Sequence, residues 1–269
     1  MQGTDNRRKT VERKTMDAKL LQPFAAQQSK PRLKEWGHRR FWICQVFLLS
    51  LAILVGISDH SAAAQSTGTL RIYLARHGET DWNAKRRLQG GSDIPLNSKG
   101  RQQAAKLAEQ LKGIHLDAVY SSTLGRSIET AKIAGGDAPL KSLAGLNERH
   151  HGKFEGKMMD GTDPATEREY RQRRGDPNDE LDGGESLNQF YERVRTAFEE
   201  IRSQHKSGAI LIVGHAITNQ MILRDVLSLT LKQALSIRQA NDELYLIELD
   251  PKNPPRLWKL ITEANLGDL

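Results

Sequence analysis

The sequence predicts an α/β fold: an open, mostly parallel sheet with helices on both faces, in three layers. Three observations carry this expectation. Two short apolar runs, residues 70–75 and 209–213, have the length and the β-branched and aliphatic content of strands buried on both sheet faces. Each run ends on histidine beside glycine, Arg76-His77-Gly78 in the first case and Gly214-His215 in the second. Elsewhere apolar residues recur at helical spacing, as in Leu187, Phe190, Val194, Phe198 and Ile201. Strands alternating with helices are the pattern of an α/β sheet.

Taken in order, residues 70–75 form the first strand, and residues 81–96 follow as a polar, irregular stretch suited to the rim of a pocket. Asn97 can cap the next helix, whose apolar stripe is Ala104, Ala105, Leu107, Ala108 and Leu111. Residues 118–121 read as a short strand, with Ser122 as N-cap of a helix running through Ala134. Arg126 then falls in the first turn of that helix, where a cation has the wrong sign for the helix dipole. A phosphate bound at the helix N-terminus would resolve the conflict. Residues 160–182 are polar and arginine-rich, with short helices. Ser186-Leu187-Asn188-Gln189 is a capping box. Residues 217–227 resume helical spacing, and residues 243–249 and 257–261 read as closing strands.

A chain of 269 residues has ample length for a sizeable α/β core. Its net charge of +7 suggests nucleic acid or membrane until it is divided along the chain. Residues 1–64 hold 11 of the 40 Lys/Arg and 5 of the 33 Asp/Glu, leaving 29 against 28 on the remaining 205 residues. The basicity belongs to the leader, so a nucleic-acid partner is not expected. The single cysteine, Cys44, also lies there, so the rest of the chain has no disulfide, thiolate metal site or cysteine nucleophile.

Three regions follow from this division: 1–40, 41–64 and 65–269. Residues 1–40 are polar and basic, with too little to bury, and are expected to be disordered. Residues 41–57 carry no charge, and Ser61-Ala62-Ala63-Ala64-Gln65 follows with the small residues of a signal-peptidase site. A basic flank, an apolar run and an A-x-A pattern read as an export signal. The segment is either cut near Ala64 or kept as a membrane anchor, its 17 residues lying at the lower edge of what spans a bilayer. In both cases the positive flank stays in the cytoplasm and residue 65 onward is exported to the periplasm or beyond.

The chemistry is expected at the ends of the two apolar runs, because ligands of open α/β sheets bind at the carboxyl ends of strands. Arg76 offers a planar fork of donors for phosphate or carboxylate. His77 has a ring nitrogen available as a nucleophile near neutral pH. Gly78 lets the backbone turn and leaves room above the imidazole for a ligand.

Arg76-His77-Gly78-Glu79-Thr80 with Trp82-Asn83, and Val213-Gly214-His215-Ala216, resemble the histidine phosphatase superfamily, with its phosphoglycerate mutase-like fold. Arg87-Leu88-Gln89-Gly90, Ser121-Ser122 with Arg126, Leu146 with Glu148, and Gly183-Gly184-Glu185-Ser186 follow in the family's order. The similarity covers about residues 70–250. It implies that His77 takes the phosphoryl group as phosphohistidine, that Arg76, Arg126 and His215 line the phosphate pocket, and that Glu148 gives the leaving oxygen its proton. Asn83, Gln89, Gly90 and Ala216 match pocket positions of the family. The implied substrate is a small phosphorylated metabolite, and no cofactor is called for.

The residue types suit that chemistry on their own terms. Two guanidiniums and an imidazolium stabilise the charge of a transferring phosphoryl group without a metal. One histidine must be neutral to attack, while the other is best protonated. Glu148, held among apolar groups, would keep its proton long enough to act as an acid. His77, His215 and Glu148 could alternatively hold a metal, but the flanking arginines repel a cation. His150 and His151 read as surface residues, Arg173 and Arg174 as a solvated pair, and Glu185 as a carboxylate acting through the positive end of the helix after it.

Within the family, Asn147-Glu148-Arg149-His150 resembles the mutases. The short segment between Glu148 and Ser186, together with Leu88-Gln89-Gly90 and Phe154-Glu155-Gly156, resembles the phosphatases. Phosphatase is the expectation, with mutase or a non-catalytic phospho-ligand or protein-binding module as the alternatives. The sequence leaves the oligomeric state open.

Overall fold

A computed structural model of the chain describes residues 12–15 and 68–261. The expectations for the export segment at 41–57, its cleavage near Ala64, and Cys44 lie outside the described residues. In chain order the elements are β1 (Glu12–Thr15), β2 (Leu70–Arg76), α1 (Asp81–Ala84), α2 (Ser98–Gln110), β3 (Ala118–Ser121), α3 (Gly125–Gly135) and β4 (Leu140–Ser142). Then come α4 (Pro164–Arg173), α5 (Leu187–Gln204), β5 (Gly208–Gly214), α6 (Ala216–Val226), α7 (Leu231–Ser236), β6 (Leu244–Leu249) and β7 (Arg256–Ile261).

Among the described residues the sheet runs β1-β7-β6-β2-β5-β3-β4. The pairings of β2 with β5, β5 with β3, and β3 with β4 are parallel, whereas β6 and β7 close the other side in antiparallel pairs. Successive side chains of a strand point to opposite faces, so the central strands feed two cores. Ile72, Leu74, Ile210, Ile212 and Ile247 pack under α5 and α6. Tyr73, Ala75, Leu211, Val213 and Leu246 pack under α2 and α3. This is the three-layer architecture expected from the continuous apolar runs. The apolar face of α5 is enclosed as its spacing predicts, each large side chain contributing about 1.5–3 kcal/mol relative to exposure.

Several local expectations are corrected. Residues 81–84 are not irregular: Thr80 caps α1 with a capping box closed by Asn83. Helix α3 starts at Gly125 after Leu124, without a side-chain cap, and Ser122 is engaged elsewhere. The structure also adds α7, whose capping box of Thr230 and Gln233 was readable, and β4, whose three residues are too few for a pattern. Residues 12–15, expected to be disordered, pair antiparallel with β7. An edge pairing of this kind needs only backbone partners, which composition does not report.

The register places the site. Arg76 pairs with Gly214 and Ser121 with Val213, so His77, His215 and Ser122 leave neighbouring strands at one end of the sheet.

Candidate active site

His77 continues the β2–β5 ladder by one bond, its N–H donating to Gly214 O at 3.1 Å. Its Nδ1 lies 2.7 Å from Gly78 O. A carbonyl only accepts, so the ring proton sits on Nδ1 and Nε2 carries the lone pair. Burial, then the charges of Arg126 and Arg76, hold the imidazole well below its ordinary pKa, so it is neutral at neutral pH. Asn241 donates to His77 O at 2.6 Å and anchors the turn from the far side.

Gly78 serves a different purpose from the one expected. A Cβ there would overlap the backbone of Gly100, and a Cβ at Gly100 would overlap that of Glu79. The glycine pair lets the first turn of α2 lie against the turn after β2. The missing side chain makes room for backbone rather than for a ligand.

Arg126 is fully enclosed, as its place at the head of α3 requires. Its terminal nitrogens donate to Ser92 O at 2.6 Å and Gly90 O at 2.8 Å. Burial lowers its pKa to about 10, which still leaves a cation at neutral pH. The loop it grips is tied again by Glu155, which accepts from Gly91 N at 2.7 Å and Ser92 Oγ at 2.9 Å. Gly90 adopts φ 55° in that loop, and a Cβ there would overlap the carboxylate of Glu155. Arg76 donates to Gln239 O at 3.1 Å, and burial lowers its pKa while Glu148 opposes the shift.

His215 is the N-cap residue of α6 and makes no side-chain cap bond. Its Nε2 is 2.7 Å from Ser122 Oγ. Burial first, then Arg126, His77 and Arg76, push its pKa well below the ordinary value. The protein's own groups therefore favour a neutral His215, contrary to the imidazolium expected. Glu148 supplies the capping that His215 does not. Its Oε1 accepts from Arg149 N, Thr218 N and Thr218 Oγ1, and its Oε2 from Ile217 N. The carboxylate thus sits on the donors at the start of α6, not among apolar groups as expected.

These groups open on a cavity of about 520 Å³ lined by Arg76, His77, Arg126 and Glu148. Asn83, Gln89, Gly90 and Ala216 line it too, whereas His215 stands enclosed behind the surface. Asn83 Oδ1 is taken by the cap of α1, leaving its NH₂ to offer. Gln89 Oε1 accepts from Thr80 Oγ1 at 3.0 Å.

Sequence reasoning missed part of the wall. Arg87, Arg149, Arg171, Arg174 and Arg238 line the cavity as well, so with Arg76 and Arg126 it has seven guanidiniums against the carboxylates of Glu148 and Glu167. Arg149 is spent internally, donating to the carbonyls of Glu185, Arg174 and Asp179. His151 is not a surface residue: it is buried in the wall, its Nδ1 3.3 Å from Tyr170 Oη, and burial lowers its pKa to about 3. His150 is exposed as expected. Arg173 joins Glu169, Asp179 and Asp182 in an ion-pair network, which leaves Arg174 alone of the pair on the cavity. Glu185, directly before the N-cap of α5, also pairs with Arg193 at 2.7 Å. The density of arginine over 168–174, four of seven residues, was the available signal, and it did not say which side chains turn inward.

Among the described residues, Arg76 Nε, Arg87 Nε, Arg126 Nε and His215 Nδ1 are buried without a hydrogen-bond partner. The three arginine Nε donors on the cavity, with the unmet acceptor Gln220 Oε1 beside them, suit an oxyanion, which can accept from several donors at once. No group of three or more His, Cys, Asp or Glu among the described residues is arranged to hold a metal. Nor is any described helix long and apolar enough to cross a membrane.

Comparison with known proteins agrees with this geometry. The family model of the histidine phosphatase superfamily (branch 1) matches residues 72–260. The "Probable phosphoglycerate mutase GpmB" of Shigella boydii is 37% identical over 180 residues, covering 64% of this chain and 81% of that protein. Among solved structures, YhfR of Bacillus stearothermophilus superposes with a TM-score of 0.60 at 32% identity, over 73% of this chain and 97% of that one. The phosphoserine phosphatase of Entamoeba histolytica, solved with 3-phosphoglyceric acid, superposes with a TM-score of 0.63 at 25% identity, over 73% and 99%. With a histidine at its central strand end, guanidiniums around it and this match over most of its length, the chain belongs to the histidine phosphatase superfamily, as a phosphatase on the phosphoglycerate mutase-like fold.

Proposed function

We propose that the protein hydrolyses a small phosphorylated metabolite through a phosphohistidine at His77, without a metal. The observation that carries this reading is the bond from His77 Nδ1 to Gly78 O, which leaves Nε2 as a bare lone pair in a cavity rich in unmet donors. Nε2 attacks phosphorus, and the bond from phosphorus to the ester oxygen breaks. Arg76, Arg126 and His215 hold the phosphoryl oxygens. Glu148 gives the departing oxygen a proton. Its Oε2 accepts only one bond where Oε1 accepts three, so Oε2 is the oxygen with room for that proton. Water then attacks phosphohistidine, Glu148 takes up the water's proton, and phosphate leaves.

Arg87, Arg171, Arg174 and Arg238 also line the cavity, with Arg171 paired to Glu167, and this excess of cations favours a leaving group that is itself anionic or polar. Phosphoserine, the substrate named by one relative, belongs to that class. We place the enzyme outside the cytoplasm on the strength of residues 41–64, as an exported protein either freed near Ala64 or held to the membrane by residues 41–57.

Turnover of p-nitrophenyl phosphate by wild type and His77→Ala, with a chelator present, tests the proposal. Trapping an acid-labile, base-stable phosphoenzyme in wild type alone supports it. Equal, near-zero turnover in both proteins points to a binding module. Interconversion of 3-phosphoglycerate with 2,3-bisphosphoglycerate present, faster than release of phosphate, points to a mutase.

A further inference from the structure

Ser122 follows the last residue of β3, and its Oγ is 2.7 Å from Nε2 of His215. Both side chains are fully enclosed. Two arrangements of protons fit that distance. In one, His215 donates from Nε2 and Nδ1 carries the lone pair. In the other, Ser122 donates to Nε2 and the ring proton sits on Nδ1.

The surroundings separate them. Ser122 Oγ already accepts the backbone N–H of Leu124 at 3.2 Å, and the described residues offer its hydroxyl proton no acceptor other than His215. The first arrangement therefore strands that proton and also buries a bare Nδ1, two unmet groups at about 1–3 kcal/mol each. The second leaves one unmet group, Nδ1–H. It lies on the ring whose centroid is 5.0 Å from that of His77. A donor there can meet an oxygen of a group bonding to His77; a lone pair there would repel it.

We propose that Ser122 is a positioning residue: its hydroxyl fixes His215 as the Nδ1–H tautomer, so that His215 donates a neutral hydrogen bond to the transferring phosphoryl group. The inference rests on the phosphohistidine reading and replaces the imidazolium in it. The groups packed around His215 act in the same direction. Arg126 on α3, Arg76 at the end of β2, His77 just after it, and Arg193 on α5 all oppose a second proton on its ring. Glu148, at the head of α6, has its carboxylate engaged by the donors of that helix.

Nitrogen-15 spectra of the full-length chain labelled at histidine test this, with His215 assigned by comparison with His215→Gln. The expected wild-type spectrum shows His215 protonated at Nδ1, bare at Nε2 and neutral from pH 6 to 8. In Ser122→Ala the two tautomers mix, the titration of His215 moves upward, and kcat for p-nitrophenyl phosphate falls by about 10- to 100-fold, less than for outright loss of an oriented donor because the Nδ1–H tautomer stays partly populated, with KM little changed. Ser122→Thr, which keeps the hydroxyl, restores the wild-type tautomer. A wild-type His215 protonated at Nε2, or an alanine variant with unchanged tautomer and kcat, overturns the proposal. Should Ser122→Ala fail to fold, the wild-type spectrum decides alone. If the tautomer is as expected and no phosphoenzyme forms at His77, the reaction scheme fails while the part assigned to Ser122 in setting the tautomer stands.

Discussion

The imidazoles of His77 and His215 stand 5.0 Å apart, centroid to centroid, with their planes inclined by 55°. They come from adjacent parallel strands, so their spacing is set by the sheet and not by a mobile loop. The two rings are unlike in what holds them: a backbone carbonyl on Nδ1 of one, a hydroxyl on Nε2 of the other. Of the two, only His77 lines the cavity. Replacing it with alanine is expected to lower kcat for p-nitrophenyl phosphate by at least about 10³-fold and to abolish the labelled phosphoenzyme. Residual labelling in the variant would move the nucleophile elsewhere.

Arg126→Lys keeps the charge and loses the fork. A lysine cannot donate to both Ser92 O and Gly90 O while also facing the phosphoryl group. The expected result is a fall in kcat of about 10²–10³-fold with the fold intact, read from steady-state kinetics beside a circular dichroism spectrum. Near-wild-type turnover would mean that position 126 acts as a point charge alone.

Gly78→Ala tests whether that glycine serves backbone packing. Its Cβ meets the main chain of Gly100, which has no rotamer to change. Urea unfolding should show a loss of about 1–3 kcal/mol. Unchanged stability with a raised KM would restore the reading in which Gly78 clears space for a ligand.

His151 gives the stability a pH dependence with a definite sign. Its pKa is about 3 in the folded protein and near the ordinary 6.5 when unfolded, so between those values the unfolded chain binds more protons. The contribution to stability is complete above pH 6.5 and is lost as pH falls toward 3. His77 and His215, also held low, act with the same sign. Urea midpoints at pH 7.5 and pH 5 should differ less in His151→Phe than in wild type. An identical drop in the two proteins would show that His151 takes up its proton without unfolding.

Most expectations that depended on a short span of chain were met, the helix at 81–84 excepted. The strands at 70–75 and 209–213, the capping box at Ser186, the cap at Asn97 and the apolar face of α5 are local facts, because side-chain period and cap chemistry act over a few residues. Where two readings of one residue competed, locality failed. Ser122 was a sound N-cap by type, yet a histidine 93 positions away holds its hydroxyl. Glu148 was expected among apolar groups, but the helix whose N–H groups surround it begins 68 residues later.

The sequence by itself determined the strand ends, the order of the motifs and so the family, since each is written in contiguous residues. The tertiary structure alone decided which nitrogen of His215 meets a partner, which arginines of 168–174 turn into the cavity, and why position 78 must lack a side chain. The first depends on the parallel register of β2, β5 and β3, and the others on contacts between segments far apart in the chain. A burial or a hydrogen bond made across such a register leaves no trace in the neighbouring residues of the chain.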